Sequence, residues 1–147
     1  RQAIDRLARI DAKTSTSQAG AIAAKFGEAE RLGREYAHLL VEMENVARLQ
    51  GSRFTAVLIP EASMVDDGFR RFWSGMPQFW DQVRGTHWVQ EALAQELKGR
   101  IDIIDLAEQR HLLQDAYWPL DGHFNEKGQA AVAELLAERF FGEGVTR

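Results

Sequence analysis

The sequence has no cysteine, only three prolines and only four histidines in 147 residues. Without cysteine, disulfides and thiolate metal sites are excluded. No apolar run reaches the roughly 18 residues that a membrane-spanning helix needs. There is no excess of positive charge either: Lys and Arg number 18 against 22 Asp and Glu, a formal net charge of −4. That balance gives no electrostatic case for nucleic acid or for an anionic membrane. The basic residues are interspersed with acidic ones, as on a solvated surface. No signal peptide is visible and the chain opens at Arg1, so it reads as the C-terminal portion of something longer.

Hydrophobic residues make up 45% and charged residues 27%, the composition of an ordinary globular protein with a core of its own. We read residues 1–147 as one domain, with 1–28 as a helical lead-in. Ala3, Ile4, Leu7 and Ile10 have a loose helical spacing, and Thr14-Ser15-Thr16-Ser17 reads as a break. The clearest periodic helix covers about 29–50, with Leu32, Tyr36, Leu39, Leu40, Met43, Val46 and Ala47 on one stripe and Gly51 as its stop. His38 lies beside that stripe and reads as structural.

Two short runs have the character of buried strands, Phe54-Thr55-Ala56-Val57-Leu58-Ile59 and Ile101-Asp102-Ile103-Ile104-Asp105-Leu106. Each is rich in β-formers and bounded by Gly or Pro. Between them Thr86 is placed to cap a helix carrying Val89, Leu93 and Leu97. Strand, helix, strand at this spacing predicts a parallel crossover. Ligands then belong at the carboxyl ends of the strands, near Pro60-Glu61 and Asp105-Leu106. Residues 61–85 read as a long loop, with Phe69, Phe72, Trp73, Phe79 and Trp80 among Gly68, Gly75 and Pro77. Its aromatics form either a satellite core or a lid over the catalytic edge. His87 and Trp88, which follow, read as packing or surface residues. A short connection over 107–116 holds His111.

Chemistry concentrates in Tyr117-Trp118-Pro119-Leu120-Asp121-Gly122-His123-Phe124-Asn125-Glu126-Lys127-Gly128. Asp121 and His123 stand two positions apart. In a turning or extended backbone the carboxylate reaches the near ring nitrogen and fixes the tautomer, leaving the far nitrogen as a base. Asn125 reads as the N-cap of a last helix over about 126–141 that buries Gly128, Ala131, Val132, Leu135, Leu136 and Phe140. The bland alternative is a polar loop leading into a helix. A metal reading would need a further ligand that the sequence does not nominate, so neither metal nor cofactor is expected.

This stretch resembles the closing block of the SGNH (GDSL-like) hydrolase and acyltransferase superfamily, an aromatic-Pro-x-Asp-x-His-x-Asn-x-x-Gly run. The resemblance is close over about 117–141 and weaker over about 53–106. It implies an α/β, three-layer flavodoxin-like fold with a parallel sheet whose N-terminal part is missing from this chain. It further implies ester hydrolysis or acyl transfer, with Asp121 and His123 as the Asp and His of a Ser-His-Asp triad. Small acyl esters or acylated carbohydrates are the substrates implied, with a lean to the bacterial cell envelope or periplasm. Trp118, Trp73 and Trp80 are the substrate-side candidates. The family's Gly-Asp-Ser block has no counterpart here, and Ser63, just past a strand end, is the fallback nucleophile. The competing reading is an inactive SGNH-like module that binds carbohydrate or serves assembly.

Overall fold

The computed structural model describes the backbone of residues 16–142 and the side chains of 20–76 and 87–142. The reading of residues 1–12 lies outside the described residues. Helix α1 runs Thr16–Leu49, unbroken through the expected boundary near residue 28, and Gly51 takes φ +71° just after it. Strand β1 (Thr55–Leu58) follows, then α2 (Ala62–Val65) and α3 (Asp67–Trp73). Helix α4 is Pro77–Leu97 and strand β2 is Asp102–Asp105. A 3₁₀ helix at Leu106–Leu112 and the last helix α5 (Glu126–Phe141) complete the order.

The strands pair in parallel, with Thr55 opposite Asp102 and Leu58 opposite Asp105. Successive side chains of a strand point to opposite faces, and both faces of this ribbon are covered. Leu58 and Ile103 pack with Ala37, Leu40 and Val41 of α1 and with Leu93 and Leu97 of α4. Val57 and Ile104 pack with Val65, Leu106, Leu113, Ala116 and Tyr117, which Val132 and Leu135 of α5 support.

The flavodoxin-like, three-layer parallel sheet implied by the resemblance is not the fold observed. The described residues hold a sheet of two four-residue strands, and the rest is mostly helix. The physical reason lies in residue patterning. Only 54–59 and 101–106 are β-rich runs of six residues, the other aromatic pairs falling in helices or the 117–128 loop, and two strands have two edges and no central strand. The supposed loop over 61–85 is also corrected, because most of it is helical. Phe69, Phe72 and Trp73 have helical spacing on α3, whose N-cap Asp66 accepts a hydrogen bond from Phe69 N at 2.9 Å. Pro77 opens α4 at a first-turn position, where its missing N–H costs nothing.

The buried face of α1 is also displaced from the expected stripe. Ala29, Gly33 and Ala37, four residues apart, are the buried positions. A Cβ on Gly33 would lie 2.6 Å from the Ala92 Cβ of α4, so the two helices meet across small residues. Tyr36, Leu39, Met43 and Val46 of the expected stripe are exposed. Among the described residues no helix is long and apolar enough to cross a membrane.

Candidate active site

The segment from Tyr117 to Gly128 folds as a tight loop closed at its base. Tyr117 and Phe124 form an isolated antiparallel bridge, and their rings meet at a 41° tilt with 4.7 Å between centroids. Trp118 N donates to His123 O at 2.8 Å and Gly122 N to Trp118 O at 3.1 Å. Gly122 takes φ +69° at the reversal, a conformation that glycine adopts without a Cβ penalty. Asn125 then caps α5: its side-chain oxygen accepts from Gly128 N at 3.1 Å and its amide donates to Asp115 O at 2.9 Å. Gly128 is required by space, since a Cβ there would sit 2.3 Å from Ala116 O.

The loop is tied to the carboxyl end of β1. The buried Tyr117 hydroxyl donates to Pro60 O at 2.8 Å, and burial, with Asp66 nearby, pushes its pKa well above the usual phenol range. A Cβ on Gly122 would stand 3.6 Å from the Phe69 ring and 4.0 Å from Ala62 Cβ. The Trp73 indole N–H donates to Pro119 O at 2.9 Å. Helix α3 therefore braces the loop from one side and α2 from beneath.

Within this frame one oxygen of Asp121 serves His123 twice. Asp121 Oδ1 accepts from His123 N at 2.9 Å and stands 3.5 Å from His123 Nδ1. The first contact is a local Asx-type turn that sets the backbone. The second aligns the carboxylate with the near ring nitrogen, at a distance that must shorten to become a good hydrogen bond. His123 Nε2 has no hydrogen-bond partner among the described residues, and the side chain is 84% exposed. The imidazole thus stands beside a carboxylate with its far nitrogen open to solvent, a placement compatible with a general base.

The other site candidates separate. Trp118 is half exposed beside the pair. Trp73 is a brace of the loop through Pro119, and the side chain of Trp80 lies outside the described residues. Ser63 is fully buried on α2, and its Oγ stands 3.5 Å from Nε2 of His87. Among the described residues no hydrogen bond joins it to His123. Burial lowers the His87 pKa, with Glu91 opposing and Arg70 adding to the shift. Sequence reasoning missed this Ser63–His87 contact across 24 positions, and no local spacing signals it. His38 and His111 are exposed. Among the described residues no three His, Cys, Asp or Glu side chains gather as a metal site.

No family model matches the chain, and no curated protein or solved structure matches it either. The resemblance of residues 117–128 to the SGNH closing block accordingly stands on those residues themselves.

Proposed function

We propose that this chain supplies the base and its orienting carboxylate to an ester-cleaving or acyl-transferring serine site of SGNH type. The nucleophilic serine would lie outside these 147 residues. The observation that carries the reading is the Asp121–His123 pair, aligned through one carboxylate oxygen, with the far imidazole nitrogen open. Its position at the carboxyl end of β1, where ligands of parallel sheets gather, supports it, as does the family resemblance of the stretch.

In the reaction, His123 Nε2 accepts the proton of an incoming serine hydroxyl as the oxygen attacks the ester carbonyl. Asp121 holds the Nδ1 proton and stabilises the imidazolium. The tetrahedral intermediate collapses, the C–O bond to the leaving alcohol breaks, and His123 returns the proton to that oxygen. Water, or an acceptor hydroxyl, then takes the acyl group by the same sequence. Ser63 does not fit the first step, because it is buried and turned to His87.

The test is turnover of p-nitrophenyl acetate. The 147 residues alone should show none above buffer, while the protein that carries them should lose turnover on His123→Ala. Turnover by the isolated chain that Ser63→Ala abolishes would move the nucleophile to Ser63 and overturn the assignment.

A further inference from the structure

The strands carry the Asp121–His123 loop at their carboxyl ends, and a separate concavity lies at their amino ends. It is a cleft of about 890 Å³ whose walls include Thr55 and Asp102, the first residues of β1 and β2. Four arginines line it, Arg48, Arg53, Arg100 and Arg139, against two carboxylates, Glu44 and Asp102. They come from four places in the chain: the last turn of α1, the turn after it, the turn after α4, and the last turn of α5. The whole chain has a net charge of −4, so this positive cleft is a local departure from a negative molecule.

Helix C-termini attract arginine for a simpler reason, since a cation offsets the negative end of the dipole. Here the main chain already serves those ends. Ser52 N donates to Ala47 O at 2.9 Å and Gly51 N to Arg48 O at 3.0 Å behind α1, and Arg100 N donates to Leu97 O at 2.9 Å behind α4. Partners within the chain do not use the guanidiniums up either. Arg48 and Arg100 stand 3.9 and 3.8 Å from Glu44 and Glu96, the outer limit of ion pairing, and Arg139 reaches Asp102 at 2.9 Å. Arg48 also donates to Asn45 Oδ1 at 3.1 Å. Arg53 makes no hydrogen bond and no ion pair among the described residues. A guanidinium offers five N–H donors, so most of those in the cleft stay open.

We propose that this cleft binds a small ligand bearing two or more linked phosphate groups. Guanidinium forks match phosphate oxygens two at a time, and four of them from separate segments are more than a single phosphate needs. Phe54 and Phe140 also line the cleft, and apolar walls strengthen the pairing by keeping water from it. The volume is that of a small-molecule site. A long polyanion such as RNA is disfavoured, because its charges beyond the cleft meet a chain that is negative overall. The site lies at the other end of the strands from His123, and the inference is independent of the ester-site reading.

The test is calorimetric titration of the protein that carries this chain with inorganic orthophosphate, pyrophosphate and tripolyphosphate at low ionic strength. Kd should fall in that order. Arg53→Gln should weaken tripolyphosphate binding by about ten-fold, the loss of one charge-assisted contact, and should leave the thermal melt unchanged because no bond within the chain is lost. Arg53→Lys, which keeps the charge but not the fork, should fall between wild type and Arg53→Gln. Arg71→Gln, at an exposed position of α3 outside the cleft, should change nothing. Equal losses in Arg53→Gln and Arg71→Gln would mean diffuse attraction and would overturn the proposal. So would the absence of tripolyphosphate binding, or binding of a single-stranded RNA or of phosphoinositide vesicles that tripolyphosphate does not compete away.

Discussion

Replacing Gly128 by alanine should destabilise the protein, although the same exchange elsewhere in its helices should stabilise it. Alanine is the better helix former by roughly 0.5–1 kcal/mol. At Gly27, in α1, an added Cβ meets nothing within 4 Å, so Gly27→Ala should raise stability by about that amount. At Gly128 the added Cβ would lie 2.3 Å from Ala116 O and 2.7 Å from Phe124 Cδ1. The carbonyl cannot swing aside, because it accepts a hydrogen bond from Asn125 N at 2.9 Å and Ala116 is wholly buried. Phe124 is held in turn against Tyr117. Overpacking of a fixed core typically costs about 1–3 kcal/mol, and a clash with backbone belongs at the upper end. After the propensity gain, a net loss of about 2–2.5 kcal/mol remains. At roughly 2–4 °C per kcal/mol for a chain of this size, Tm should fall by about 5–10 °C. Urea melts of both variants, analysed at constant slope, are the assay. A Gly128→Ala protein within about 0.5 kcal/mol of wild type would refute the packing argument and the loop geometry built on it.

Further outcomes follow from the same contacts. Tyr117→Phe should cost about 1–3 kcal/mol in a urea melt, because it leaves the Pro60 carbonyl without its buried donor. Asp66→Ala, which removes the cap on Phe69 N, should cost about 1 kcal/mol. His87 has a lowered pKa in the fold, so the unfolded chain binds the proton more readily. Stability is then full above the unfolded value of about 6.5 and declines as pH falls below it. Comparing urea midpoints at pH 7.5 and 5, His87→Gln should lose part of that decline, and an unchanged decline would exclude His87 as its source. Asp102 has a carboxyl pKa lowered by the Thr55 hydroxyl and by Arg139. Its contribution is present above about pH 4 and lost on acidification, so Asp102→Asn should flatten the acid limb of the stability profile.

What the sequence revealed depends on how local each signal is. The last helix was legible to its ends because Asn125 and Gly142 act within one turn of them. Both strands were legible because each is a short run of β-formers, one between Gly51 and Pro60 and the other just after Gly99, and their parallel pairing follows from the helix between them. Helix α4 was misjudged at its start because Pro77 and Gly85 look like loop punctuation, yet proline is welcome in a first helical turn. The buried face of α1 was hidden because Ala29, Gly33 and Ala37 make the contact with α4, and small residues carry little hydrophobic signal. A larger sheet was expected from the resemblance, which is close only over the final stretch, whereas the described residues hold a two-stranded sheet. In the site, the closeness of Asp121 and His123 was expected from their two-residue spacing and from the resemblance of the stretch, and the carboxylate stands 3.5 Å from Nδ1. The bracing of the loop by Trp73, Phe69 and Tyr117 was not expected, since those contacts join residues 46–57 positions apart.

The most direct test of the central claim is a double-mutant cycle on ester turnover in the protein that carries this chain. It compares His123→Ala, Asp121→Asn and the double variant, with thermal melts as the control for folding. If the two residues work as one unit, each single change lowers kcat by several orders of magnitude, on the order of 10⁴ for loss of the orienting carboxylate. The double variant should then be little worse than His123→Ala, with melts close to wild type because both side chains are exposed. Near-wild-type turnover in His123→Ala, or losses that simply multiply in the double variant, would contradict the assignment of Asp121 and His123 as a catalytic pair.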